Sequence, residues 1–319
     1  TAAVSGMIGV NIENGELSLV NSVMKGDDLT FAMSGGVLNL TNSSVLSKVT
    51  TSVSSGEEGG ETGEEESGSG DETVTYDDGS SDGGSTDDGT GGDAGNPDEG
   101  GEEQPEEPSG PEFSLSGNVS MDNSQFGMYS DDISIVGPDI TVQDANVQMQ
   151  NQSQIKKINS GDIEITQSQI DMANSAVLHG GQTGDISITD STLTLNGNSQ
   201  IVRGIFTTDS DGNVSQSGGN FPTKTATEEQ TGNIDISGST ITLNDSSKIH
   251  QSMYDSDINL DNSTLSLNGN SSVQIDQGSL SISGSTVNLA GNASLTAYLA
   301  NSPVENAIYL YSGEINASG

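Results

Sequence analysis

An 18-residue phrase recurs along the chain and sets what it can fold into. It reads PDITVQDANVQMQNQSQI from Pro138, GDIEITQSQIDMANSAVL from Gly161 and GDISITDSTLTLNGNSQI from Gly184. It returns as GNIDISGSTITLNDSSKI from Gly232, SDINLDNSTLSLNGNSSV from Ser256 and GSLSISGSTVNLAGNASL from Gly278. Subtracting successive start numbers (138, 161, 184, 232, 256 and 278) gives steps of 23, 23, 48, 24 and 22. A period near 23 is one coil of a solenoid, in which each coil buries its apolar side chains against the next.

Positions 3, 5, 10, 12 and 18 of the phrase are apolar, as in Ile186, Ile188, Leu193, Leu195 and Ile201. A spacing of two puts both members of a pair on one face of a strand, so three short strands per coil turn their aliphatics inward. Position 16 is always small (Ser153, Ala176, Ser199, Ser247, Ser271, Ala293) and is expected to point inward beside position 18. Positions 7 and 14 carry Asn, Asp, Gly or once Gln, the composition of left-handed corners. Position 8 is Ala145 and then five serines, Ser168, Ser191, Ser239, Ser263 and Ser285, which stacking would line up as a hydroxyl ladder on corner backbone groups. Partial copies begin at Gly15, Gly36 and Gly117, the last about one coil ahead of Pro138, giving roughly nine coils. At a strand spacing of ~4.8 Å the rod is about 45 Å long. The expected fold is all-β, a single-stranded right-handed parallel β-helix with about 21–24 residues per coil. A β-sandwich does not repeat at so constant an interval.

A hydrophobic content of 29% and no Trp would starve a globular core but suit a narrow aliphatic stack. With 47 acidic residues against 7 basic ones and a net charge of −40, nucleic acid and anionic membrane surfaces are excluded as partners. There is no cysteine, hence no disulfide or thiolate metal site. No apolar run approaches the about 20 residues that a bilayer crossing takes, so no direct membrane insertion is expected. No signal peptide is visible at Thr1, and GEINASG at 313–319 reads as the opening of another coil, so the chain is expected to be part of a longer array.

The organisation follows from two departures. Residues 1–54 are N-terminal coils, 55–111 an inserted acidic loop, and 112–319 the main helix with a surface loop at 202–231. From Glu57 to Glu112 there are 21 acidic residues and no basic one, a composition that predicts disorder and loosely held divalent cations but neither known calcium-loop spacing. In the second departure Asp209, Asp211 and Asn213 resemble part of a calcium loop without its later Glu, and read as a polar surface loop. The step of 48, close to two periods, also leaves room for a degenerate coil.

No catalytic constellation stands out. Lys156, Lys157, Arg203, Lys224 and Lys248 are the cations available to a lyase beyond the acidic loop. Pairs such as Asp162 with Glu164, near Asp185, occur at variable positions, as solvated residues do. His179 and His250 follow position 18 with no partner signalled and read as corner decoration. No metal or cofactor is expected. The one candidate binding face within the coils comes from positions 9 and 11, which flank an inward aliphatic and point outward: Thr192 and Thr194, Thr240 and Thr242, Thr264 and Ser266, Thr286 and Asn288.

The phrase [ILV]-x-[ILV]…S-x-[ILV]-x-[LM]-x-[NG], with its Ser/Thr/Asn/Gly surface, resembles the β-helical adhesins of bacteria, the autotransporter passengers and filamentous-haemagglutinin-like exoproteins. The resemblance covers all but the acidic insertion and the loop near Asn213, and carries no catalytic motif. It implies a non-catalytic, structural and adhesive segment of a secreted or surface-displayed protein, binding an unidentified host, cell-surface or glycan ligand. A carbohydrate-active β-helix and an ice-binding solenoid, which presents a regular TxT array, are the alternatives.

Overall fold

The structure, a computed structural model, describes residues 9–50, 113–129, 137–158, 161–181, 183–204, 206–208, 214–216, 232–253, 256–276, 278–297 and 308–318, with 206–208 and 214–216 as backbone. No helix occurs among the described residues; parallel strands stack as a β-solenoid, as the repeat predicts. Its third wall is a sheet of nine strands, and nine strands enclose eight intervals, so the described coils make about eight turns.

The coil from Gly184 shows the plan. Its strands are Ile186–Thr189, Thr192–Leu195 and Gln200–Arg203. Each pairs in parallel with its counterpart in the preceding coil, Ile163↔Ile186, Gln169↔Thr192 and Val177↔Gln200. All five apolar positions of this coil, Ile186, Ile188, Leu193, Leu195 and Ile201, are fully buried. The walls are not everywhere separate. Phe113–Asp122 and Ile140–Gln150 run unbroken from the first wall into the second, joining both into one 18-stranded sheet. The join is irregular between Leu115 and Gly117, where the extra residue is absorbed.

The corners follow the residue types. Position 7 is left-handed at Asp144, Gln167, Asp190, Gly238, Asn262 and Gly284, with φ between 48° and 59°. Position 14 is left-handed at Asn151, Asn174, Gly197, Asp245, Gly269 and Gly291, with φ between 52° and 73°. Position 16 is buried at Ser153, Ala176, Ser199, Ser247 and Ser271, as expected of a crowded third wall. The serine ladder is present: Ser191 N donates to Ser239 Oγ at 3.0 Å, Ser239 N to Ser263 Oγ at 3.0 Å and Ser263 N to Ser285 Oγ at 2.9 Å. Each hydroxyl in turn donates to the carbonyl two residues back, so corner groups shielded from water are paired. Near the start of the rod the aliphatic stack gives way to Phe31, Phe113 and Phe126, whose ring centroids lie 4.6–6.1 Å apart.

Three sequence expectations are corrected. Gly117 pairs with Ala145 and not with Pro138, so the copies at Gly15, Gly36 and Gly117 are second-wall strands and not coil openings. The final segment is displaced in the same sense: Gly313 pairs with Ser285, and the first-wall strand before it is Ile308–Leu310. The error has a physical source, since Gly-x-apolar-x-apolar describes either wall equally well. No degenerate coil occupies the long interval after Gly184, because Ile186 pairs directly with Ile234. An antiparallel hairpin of Phe206–Thr208 and Val214–Gln216 stands there instead. Coils two and three also pair directly, Ser44↔Gln125, across the acidic insertion. The expectation of disorder at 55–111, with its loosely held cations, lies outside the described residues, as do Asp209, Asp211, Asn213 and Lys224.

Candidate binding face of the solenoid

Because the pleat alternates, the side chains between the inward pairs of the second wall leave the rod. Register aligns Thr192, Thr240, Thr264 and Thr286 in one column and Thr194, Thr242, Ser266 and Asn288 in the next. Thr192 and Thr240 are exposed, and the other six are half-buried by their neighbours in the columns. All eight predicted face residues therefore lie on one wall, at a rise of ~4.8 Å per coil.

Toward the N-terminal coils the same two columns change chemistry. The outer column continues as Gln169, Asn146 and Asn118, the inner one as Asp171, Gln148, Ser120 and Asn39. Here the wall is hollowed. A depression of about 540 Å³ is lined by Asn118, Asp144, Asn146, Gln167, Gln169 and Thr192, among others. A second, of about 130 Å³, shares Asn118 and Asn146 and adds Asn39, Ser120 and Gln148. Among the described residues no Lys, Arg or aromatic ring lines either hollow. The predicted threonine face is thus half of a longer surface whose other half is carboxamide. The recurrence of Asn and Gln at positions 9 and 11 was the available signal.

The charges are arranged at the third corner. Position 2 carries Asp139, Asp162, Asp185, Asn233 and Asp257, and each side chain accepts from the backbone N–H of the next coil, at 2.6–2.9 Å. These residues are a structural ladder, not the variably placed solvated carboxylates that pairwise reading suggested; the missed signal was the constancy of position 2. Beneath them lie Lys157 and Arg203, both fully buried. Lys157 Nζ donates to Pro138 O at 2.6 Å and Arg203 Nη1 to Gly232 O at 2.6 Å. Gly180 stands opposite Arg203 in the pairing, and a Cβ there would lie 2.8 Å from the Ile186 side chain and 3.3 Å from the Arg203 Cγ, so the missing side chain makes room for both.

Burial lowers the Lys157 ammonium to about 8, against the opposing pull of Asp139 and Asp162. It lowers the Arg203 guanidinium to about 10, against Asp185, Asp162 and Asp235. Asp162, Glu164 and Asp235 are raised, in each case chiefly by desolvation. Asp139, Asp162 and Glu164 bring carboxylate oxygens within 4.8 Å of one another. Asp139 and Asp162 each accept a ladder bond through one oxygen, and the buried Lys157 supplies positive charge beside them.

The two histidines are also placed otherwise than expected. Both lie within third-wall strands and are 8% exposed. His250 Nε2 meets Asp276 Oδ2 at 2.8 Å, and Gln274 Nε2 holds the other oxygen at 2.7 Å. Burial, with the Lys156 ammonium adding to it, pushes His179 down to about 3. The His250–Asp276 partnership joins neighbouring coils, and so becomes contact only once they stack.

Comparison with protein-family models, with curated proteins and with solved structures finds no match.

Proposed function

We propose that the chain is a structural and adhesive rod of a secreted or surface-displayed bacterial repeat protein, working at the cell exterior without catalysis. The observation that carries this reading is the second wall. Its inward residues fill the core, while its outward residues form two unbroken polar columns over many coils. A rigid surface of this kind suits a binding partner that is itself extended. The buried cations support the non-catalytic reading: of the described cations named above, Lys156, Lys157 and Arg203 are fully buried and not offered to a bound polysaccharide as a proton-abstracting base, while Lys248 is half-buried. Beads coated with the chain test the proposal. They are expected to adhere to host or bacterial cells and to be released by the soluble chain, and beads that adhere no better than uncoated ones would count against it. Incubation with polysaccharides is expected to yield no new reducing or unsaturated ends.

The threonine column favours one second reading, ice binding, since four threonines stand in register from Thr192 to Thr286. The neighbouring column changes to Ser266 and Asn288, which interrupts the hydroxyl array. Thermal hysteresis and faceted ice growth would establish that reading, and their absence would dispose of it.

A further inference from the structure

Stacked carboxamides in this rod usually bond to one another. Asn123 donates to Asn42 at 3.0 Å, Asn174 to Asn151 at 3.2 Å, Asn244 to Asn196 at 2.9 Å and Asn268 to Asn244 at 2.9 Å. These bonds line the second corner and hold it. Along the hollowed part of the second wall the pattern stops. Asn118, Asn146, Gln148 and Gln167 are all exposed, and none has a side-chain hydrogen bond among the described residues. Four amides, each with donors and an acceptor, are left facing a groove that spans several coils.

We propose that this groove binds a neutral glycan chain laid along the rod axis; the inference rests on the adhesive reading and names its ligand class. A sugar hydroxyl both donates and accepts, as a carboxamide does, so one outward column offers a complementary partner about every 4.8 Å. Anionic glycans are disfavoured, because among the described residues no Lys or Arg lines the groove while Asp144 and Asp190 do. An extended peptide is disfavoured as well. The backbone groups of the groove floor are committed to the parallel ladders, and among the described residues Val37, Val119 and Ala145 are the only apolar side chains lining it. With no ring to stack on, recognition runs through hydroxyl edges, so affinity grows with the number of sugars bridging successive coils.

The test uses the full chain against immobilised neutral oligosaccharides of increasing length, beside uronate-rich and sulfated ones and an extended peptide library. Two double variants are compared with it: Asn118→Ala with Asn146→Ala in the groove, and Ser272→Ala with Ser294→Ala on the third wall, away from the binding face. All four residues are on the outer face, so circular dichroism is expected to be unchanged. The expected result is binding of neutral chains that strengthens with length, weakened at least tenfold by the groove variant and unaltered by the third-wall variant. Neutral-glycan binding that survives the groove variant would overturn the site. Preference for anionic glycans or for peptides would overturn the ligand class. If the chain adheres to cells yet binds no neutral glycan, the glycan proposal falls and the adhesive reading stands; if it adheres to nothing, both fall.

Discussion

Lys157 shows how single residues are used at the third corner. Its stem fills space inside the coil, and its ammonium ties down a backbone carbonyl beside an aspartate ladder. Its folded value, about 8 against the ordinary 10.5, means that folding favours the neutral amine. A depressed value contributes stability that is full above about 10.5 and is lost as pH falls through about 8. Over that window the chain is expected to gain stability, relative to Lys157→Met, by about 3 kcal/mol as pH rises, from the size of the shift. Denaturant titrations of both proteins across the window check this, and parallel stability curves would show that the ammonium is not desolvated. Lys157 and Arg203 lie two positions beyond the last inward aliphatic of the phrase, Ile155 and Ile201, so the alternation of the strand already places them inward, a signal that reading them as cations available to a lyase passed over.

At the scale of the element, each coil is two tight corners separating three short strands, and the corners are what the sequence writes most plainly. Positions 7 and 14 were legible because few residues other than Gly, Asn and Asp tolerate left-handed backbone. At Gly238, φ is 59° and an added Cβ would lie 2.3 Å from Asp190 Oδ1 of the preceding coil. Gly238→Val therefore brings a strained backbone, about 1–2 kcal/mol, and makes the Asp190 carboxylate swing aside. Asn262→Gly at the same position of the next coil is expected to be close to neutral, and equal losses in thermal melts of the two variants would contradict this explanation of the corner. The inward positions and the serine ladder were equally legible, since both follow from stacking identical phrases. The phase of the upstream strands was not, because the first two walls share one local pattern and only pairing at a distance tells them apart. Asn146, Gln148 and Gln169 stand at positions 9 and 11 and were as legible as the threonines, as breaks in their array, whereas Asn118 escaped because the phase of its strand did.

On the scale of the molecule, the rod tolerates insertions because its coils pair across them. Ser44 meets Gln125 despite the acidic insertion between them, and Thr192 meets Thr240 despite the longer interval there. Loop-closure entropy rises only slowly with length, so such insertions cost little. Replacing residues 55–108 by a short Gly/Ser linker is expected to leave the thermal midpoint unchanged. A collapse of the midpoint would mean that the insertion is a structural member. The composition agrees with this division of labour, since aliphatics are reserved for the stack and acidic residues for the excursions and the third corner. The central claim, that successive repeats are successive rungs of one rod, can be measured with a spin-label ruler, and the absence of native cysteine makes labelling clean. One label is fixed at Asn118→Cys and the other moved through Thr192→Cys, Thr240→Cys, Thr264→Cys, Thr286→Cys and Glu314→Cys, positions in register on the second wall. A solenoid gives distances that lengthen by about 4.8 Å with each rung. Distances that fail to increase in order, or that jump by an extra rung between Thr192→Cys and Thr240→Cys, would contradict it.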